Sequence, residues 1–300
     1  MIKRYFSFTV VFFCFAIVSC GNQKVPFFRV LERGMAGLEE KAVQVGDHRI
    51  AYLEGGAGPD VLLLHGFGAD KDNWVRFAKR LVKNYRVIAP DLPGFGDSSK
   101  LRGASYDMPA QVRRMHGFFR AIGLKQFHIA GNSMGGLIAG LYAAEYPGEV
   151  LSLGLLDPGG VANREESVIA REWKAGRNPL VVGSREDYDR MLEFMFVDPP
   201  LIPFWVKSWL ADEAVRSKEF NDYIFSQVKP GDQLERMMGK ISAKTLVLWG
   251  DRDTIFPASS AAVLGAGIKN SNVVIMKDCG HVPMLERPGE AAEHYLKLIK

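Results

Sequence analysis

Six short runs, DVLLL, YRVIAPDL, FHIAGNS, VLSLGLL, TLVLWGD and NVVIMKD, are apolar from end to end instead of alternating. A strand buried on one face alternates, whereas a run without alternation must be covered on both. Stretches with helical spacing separate the runs. One carries Trp74, Phe77 and Leu81 on a single face, another spans roughly 106–123, and a small-residue stretch, MGGLIAGLYAAEY, follows FHIAGNS. Strands alternating with helices of this length predict an α/β fold, a mostly parallel central sheet with helices on both faces. A strand–turn–strand pattern in KAVQVGDHRIAYLEGG precedes the series, and a helix from about Pro288 closes it.

The series is interrupted once. Between LLDPGG and TLVLWG the chain is helical in pattern, broken by prolines and rich in large apolar groups, among them Met191, Phe194, Phe196, Phe204, Trp205 and Trp209. A sheet that stops and then resumes predicts a core of residues 41–160 and 239–300 with a helical cap, 161–238, inserted over one edge. With 47% hydrophobic residues in 300, the chain can bury a core of this size.

The N-terminus has its own pattern. Lys3 and Arg4 precede the apolar run FSFTVVFFCFAIV, shorter than the ~20 residues a spanning helix needs but suited to the apolar region of a signal peptide. The ending IVSC resembles a bacterial lipobox, in which small residues precede a cysteine that receives lipid. That resemblance makes 1–19 a signal peptide and Cys20 the lipid attachment site. It implies a domain tethered to the cell envelope and facing the periplasm, with Gly21 pointing to the outer membrane. An uncleaved signal anchor is the alternative. Residues 20–40 then form a membrane-proximal linker in which Phe27, Leu31, Met35 and Leu38 follow helical spacing, lying either on the bilayer or on the domain.

Composition excludes other classes. A net charge of +4 without Lys/Arg runs gives no footprint for nucleic acid. No internal repeat and no CxxC or HExxH metal spacing is present. Cys14 lies in the signal and Cys20 would carry lipid, which leaves Cys279 alone in the domain and no internal disulfide.

The chemistry concentrates in AGNSMGG, where Gly131 and Gly135 flank Ser133. Placed between an apolar strand and a small-residue helix, G-x-S-x-G is the setting of a nucleophile elbow. The glycines there make room for a strained turn that lifts the serine hydroxyl above the sheet. A serine hydroxyl needs a base, and the base an orienting acid, in the chain order Ser, acid, His. Of six histidines, His281 and His294 follow a late strand and its acids. His281, in the loop CGHVPMLERP, is the candidate base, because His294 falls within the last helix. For the acid, Asp253 is favoured, with Asp251 beside it and Asp157 as runner-up. Oxyanion donors are expected from the backbone of Met134, which follows the serine, and of Phe67 in HGFGAD, with His65 bracing that loop.

In order, LHGFGADKDNW, APDLPGFGDSS, AGNSMGG, WGDRDTIFP and CGHVPMLERP resemble the α/β-hydrolase fold. Within it they are most similar to bacterial family V lipases and esterases and to monoacylglycerol-lipase-like enzymes. The resemblance spans about residues 40–300. It implies Ser133 as nucleophile, Asp253 as acid, His281 as base, and Phe67 and Met134 as oxyanion donors, without metal or cofactor. Relatives that are epoxide hydrolases or dehalogenases carry an aspartate at the elbow, where this chain has serine. The expected reaction is hydrolysis of carboxylic esters of lipids, with Phe194, Phe204 and Trp205 of the cap as candidates to line an acyl channel. An acyltransferase, a carbon–carbon bond hydrolase or a non-catalytic lipoprotein binding an apolar ligand remain as alternatives. Oligomeric state is left open.

Overall fold

The computed structural model describes residues 26–162, 165–228 and 231–300. The expected lipobox cysteine, Cys20, and the signal run lie outside the described residues, so the anchor stays an expectation from sequence.

Eight strands form one sheet: β1 (Glu39–Val45), β2 (His48–Gly55), β3 (Asp60–Leu64), β4 (Arg86–Pro90), β5 (Phe127–Asn132), β6 (Val150–Leu156), β7 (Lys244–Gly250) and β8 (Ser271–Met276). Their order is β1-β2-β4-β3-β5-β6-β7-β8. Only β2 runs against its neighbours, and every pairing from β4 to β8 is parallel. The helices are α1 (Phe27–Met35), α2 (Val75–Leu81), α3 (Met108–Ala121), α4 (Met134–Glu145), α5 (Val168–Lys174), α6 (Arg185–Met195), α7 (Phe204–Arg216), α8 (Lys218–Phe225), α9 (Gln233–Met237), α10 (Ser260–Gly267), α11 (Pro283–Glu286) and α12 (Pro288–Ile299).

The apolar runs are covered on both sides because their successive side chains enter different layers. In β3, Leu62 and Leu64 pack with α3 and α4 residues such as Phe118 and Ile138. Val61 and Leu63 pack with Phe77 and Leu81 of α2 and Tyr295 of α12. An expected mostly parallel sheet between two helical layers is what the chain forms.

Among the described residues, five α-helices, α5 to α9, lie between β6 and β7. The last of them turns back onto the core. Leu234 of α9 is fully buried, and a methyl group at Gly140 of α4 would come within 2.5 Å of its side chain.

Helix α1 docks on the domain through its charged face. Arg29 bonds Asp70 at 2.7 Å and Asp72 at 2.9 Å, and Arg33 bonds Asp72 at 2.6 Å. The helix ends where Gly37 takes φ 70°, and the Leu38 N–H donates to the Arg33 carbonyl at 2.9 Å. Leu38 therefore lies beyond the helix, buried, instead of extending the Phe27–Leu31–Met35 face. Among the described residues, no helix is long and apolar enough to cross a membrane.

Candidate active site

Ser133 sits between β5 and α4 with φ 55° and ψ −119°. Few non-glycine residues adopt positive φ, and such strain persists only where the surroundings enforce it. Here they do. A methyl group on Gly131 would lie 2.2 Å from the Gly135 carbonyl oxygen, and one on Gly135 would lie 2.2 Å from that of Leu64. The Ser133 N–H donates to the Leu156 carbonyl at 3.1 Å, and its own carbonyl accepts from Gly159 at 3.0 Å. Strands β3 and β6 thus clamp the turn from both sides.

His281 and Asp253 meet nearby. The His281 Nδ1 lies 2.8 Å from Asp253 Oδ2, with both side chains buried. Asp253 Oδ1 accepts the N–H groups of Ile255 at 2.8 Å and Phe256 at 3.1 Å. Three donors converge on this carboxylate, which therefore fixes the ring with Nδ1–H toward the acid and the Nε2 lone pair free. Asp251 takes another role: its N–H pairs with the Met276 carbonyl, and its Oδ1 accepts weakly from Cys279 at 3.4 Å, bracing the loop that presents His281.

Asn132 joins the two halves. Its Nδ2 donates to the His281 carbonyl at 2.9 Å and to that of Leu156 at 3.1 Å. The residue beside the serine therefore holds the histidine's own backbone, and the loops carrying residues 133 and 281 share one end of the sheet. Reading the sequence alone leaves Asn132 without a role. Its partner is 149 residues away, and no local pattern announces the bond.

Asp157, the runner-up acid, stands behind this pair. It has φ 45°, and its Oδ1 accepts from Gly250 at 2.9 Å. One atom each from Asp157, Asp253 and His281 falls within 4.8 Å of the others. Three such ligands could in principle hold a cation, but Asp253 already accepts from the histidine and two amides, and a proton on Asp157 fills its remaining acceptor site. Burial, and then the neighbouring Asp253 charge, holds the Asp157 carboxyl well above the usual carboxylate range. Ionised, its buried Oδ2 would have no donor; protonated, it supplies one to Asp253.

The loop after β3 brings Phe67 to the same place. A methyl group on Gly66 would lie 3.3 Å from the Ser133 Cβ, so this backbone passes directly beside the serine. Met134 is buried as the first residue of α4, and its amide has no partner within the helix by position. His65 Nδ1 bonds the Gly66 carbonyl at 2.7 Å, and its Nε2 accepts the Leu92 N–H at 2.9 Å. It braces the loop in the neutral state that burial favours.

Aromatic rings lead away from this backbone. Phe67 packs edge-on against Phe95 and against Phe225 of α8, each at 5.5 Å, and Phe225 meets Trp173 of α5 at 5.9 Å. Neither Phe225 nor Trp173 stands out in the sequence: Trp173 is a single ring in a polar stretch, and Phe225 is one of three rings close together in 220–225 with no mark of which faces the site. The candidates named from sequence lie elsewhere. Phe204 and Trp205 are 81% and 59% exposed at the start of α7, and Trp205 packs against Phe28 of α1. Their size suggested a lining role, but they sit on the outside of the insert. Phe194 is half-buried, and its carbonyl accepts from Thr254, next to Asp253.

Residues 61–294 match the model of the alpha/beta hydrolase family. The chain belongs to the alpha/beta hydrolase family. Lipase 1 of Psychrobacter immobilis is 38% identical over 282 residues, covering 88% of this chain and 85% of that protein. Monoacylglycerol lipase abhd6-B of Xenopus laevis is 34% identical over 279 residues, 87% and 82% of the two chains. A solved structure of a membrane phospholipase A, a bacterial virulence factor, superposes with a TM-score of 0.88 at 50% identity, covering 91% of this chain and 89% of its own. These likenesses bear out the hydrolase resemblance read from the five motifs, and with it the lipase and esterase type.

Proposed function

We propose that this alpha/beta hydrolase is a membrane-tethered enzyme that cleaves acyl esters of membrane lipids with Ser133, His281 and Asp253. The observation that carries the reading is the 2.8 Å contact between His281 and Asp253, held beside the strained Ser133 by Asn132. In the forward step the Ser133 hydroxyl gives its proton to His281 Nε2 while the oxygen attacks the ester carbonyl. Asp253 holds the ring and stabilises the imidazolium that forms. The Phe67 and Met134 amides bond the oxygen on which charge develops, a contribution of about 10²–10³ in rate for one such donor. His281 then protonates the departing alkoxide, leaving an acyl-serine. Water, deprotonated by the same imidazole, attacks it, and the carboxylic acid leaves as the serine regains its proton.

Three things support lipid over a small polar ester. The rings of Phe95, Phe67, Phe225 and Trp173 form an apolar string that starts at the oxyanion backbone. The N-terminal pattern ending at Cys20 suits lipid attachment, and two acyl chains make attachment stable. A relative half identical to this chain is a membrane phospholipase A.

Incubating the full chain with a bacterial lipid extract and identifying products by mass spectrometry tests the reading. Free fatty acid with lysophospholipid is the expected outcome for phospholipid cleavage, and fatty acid with glycerol for monoacylglycerol. Turnover of p-nitrophenyl butyrate without release of any fatty acid from the extract would remove lipids as the substrate class.

A further inference from the structure

Helix α1 is inside out. The residues it turns to solvent are Phe27, Val30, Leu31, Gly34 and Met35, one continuous face at helical spacing. Its four large side chains are between 45% and 58% exposed. The opposite face carries Arg29, Glu32 and Arg33, and all three are bound to the domain, Glu32 through Arg76 at 2.9 Å. A surface helix ordinarily buries its apolar face and shows its charges. Here the charges form the joint, and the apolar face is left outward. Contact with the insert extends that face: Phe28 packs on Trp205 and Trp209, at 5.6 and 5.7 Å. Leu201, fully exposed, and Phe204, 81% exposed, shortly precede Trp205 in the chain.

We propose that the outward face of α1 and the start of α7 together dock on the surface of a lipid bilayer. The proposal rests on the membrane tether inferred above for the choice of occupant. The stretch of chain preceding the helix argues for lipid. The described residues begin at Pro26, adjacent to Phe27, and the segment before it carries the apolar run and Cys20. Six extended residues from Cys20 to Pro26 span at most about 20 Å, so a lipid anchor on Cys20 holds this face close to the membrane. Phenylalanine, leucine and an exposed tryptophan suit the boundary between headgroups and acyl chains. Lys79, exposed and beside Met35 in a shallow hollow, can reach anionic headgroups while its stem lies on the apolar face. Docked in this way, the hydrolase is held in one orientation, with the insert facing the lipid.

The test uses the full chain, wild type and V30E/L31E/M35E, in phosphatidylethanolamine–phosphatidylglycerol vesicles with brominated acyl chains. Brominated lipid is expected to quench wild-type tryptophan fluorescence, and Trp205→Phe should remove at least half of that quenching. The triple variant should lose the same share and hydrolyse vesicle lipid about tenfold more slowly. It should still sediment with the vesicles and turn over p-nitrophenyl butyrate as the wild type does. Equal quenching and equal lipid hydrolysis in wild type and triple variant would overturn the docking face and leave the tether and the hydrolase standing. Wild-type sedimentation without quenching, together with a dimer that the triple variant abolishes, would assign the face to a second copy and overturn it too. A wild type that does not sediment overturns both the face and the tether, while butyrate turnover still reports the hydrolase separately.

Discussion

Asp157 and Asp253 share one buried corner, and charge on both would be costly. Because burial holds the Asp157 carboxyl above its ordinary value of 3.8, the folded chain keeps a proton that the unfolded chain releases. Below pH 3.8 both states hold it and the group leaves stability unchanged. As pH rises past that point, stability falls until the folded carboxyl itself ionises. Asp157→Asn removes this dependence. Its oxygen can still accept from Gly250 and its amide can donate to Asp253, so ester turnover should stay within about threefold of wild type. Relative to wild type, the variant should gain stability steadily from pH 4 to pH 7 in urea unfolding, because only the wild type loses stability as its unfolded chain releases the proton. Parallel stability profiles would mean that Asp157 is ionised in the fold. The residues of this corner were unequally legible in sequence. Ser133, His281 and Asp253 sit in short motifs whose spacing reflects local chemistry. The service of Asn132 and Asp157 depends on side chains brought together by the sheet, which no local spacing encodes.

At the scale of elements, the elbow depends on backbone passing where side chains would collide. Gly135→Ala places a methyl group 2.2 Å from the Leu64 carbonyl oxygen and 2.4 Å from that of His65. Neither oxygen can move without shifting β3, which also leads into the Phe67 loop. The substitution should therefore cost about 3 kcal/mol in urea unfolding, at the upper end for overpacking, and should lower ester turnover in the protein that still folds. Unfolding midpoints and turnover equal to wild type would show that α4 can slide away from β3. The strand–elbow–helix unit was readable because both periodicities and both glycines lie within one window. Helix α1 was readable as a helix but not in its orientation. Its spacing gives an apolar stripe, and only the presence of Asp70 and Asp72 beneath Arg29 and Arg33 turns that stripe outward. Phe204 and Trp205 misled for the same reason, since a large apolar side chain in an insert carries no mark of the side it faces.

The molecule as a whole places its candidate site at one end of a mostly parallel sheet, in the loops that leave β3, β5, β7 and β8. The inserted helices are bonded to those loops: the His281 N–H donates to the Met195 carbonyl at 2.9 Å, and Thr254 Oγ1 to that of Phe194 at 2.9 Å. The insert and the loops carrying the proposed acid and base, Asp253 and His281, are therefore built on shared backbone. The central claim is that one serine, and no other, is made nucleophilic here, and covalent labelling reads it most directly. A fluorophosphonate probe followed by intact-mass and peptide analysis should add one adduct to the wild type, on the peptide containing Ser133. Ser133→Ala should take none, and His281→Ala should label at least 10³-fold more slowly with an unchanged circular dichroism spectrum. An adduct on another residue, or labelling of Ser133→Ala at the wild-type rate, would contradict the account.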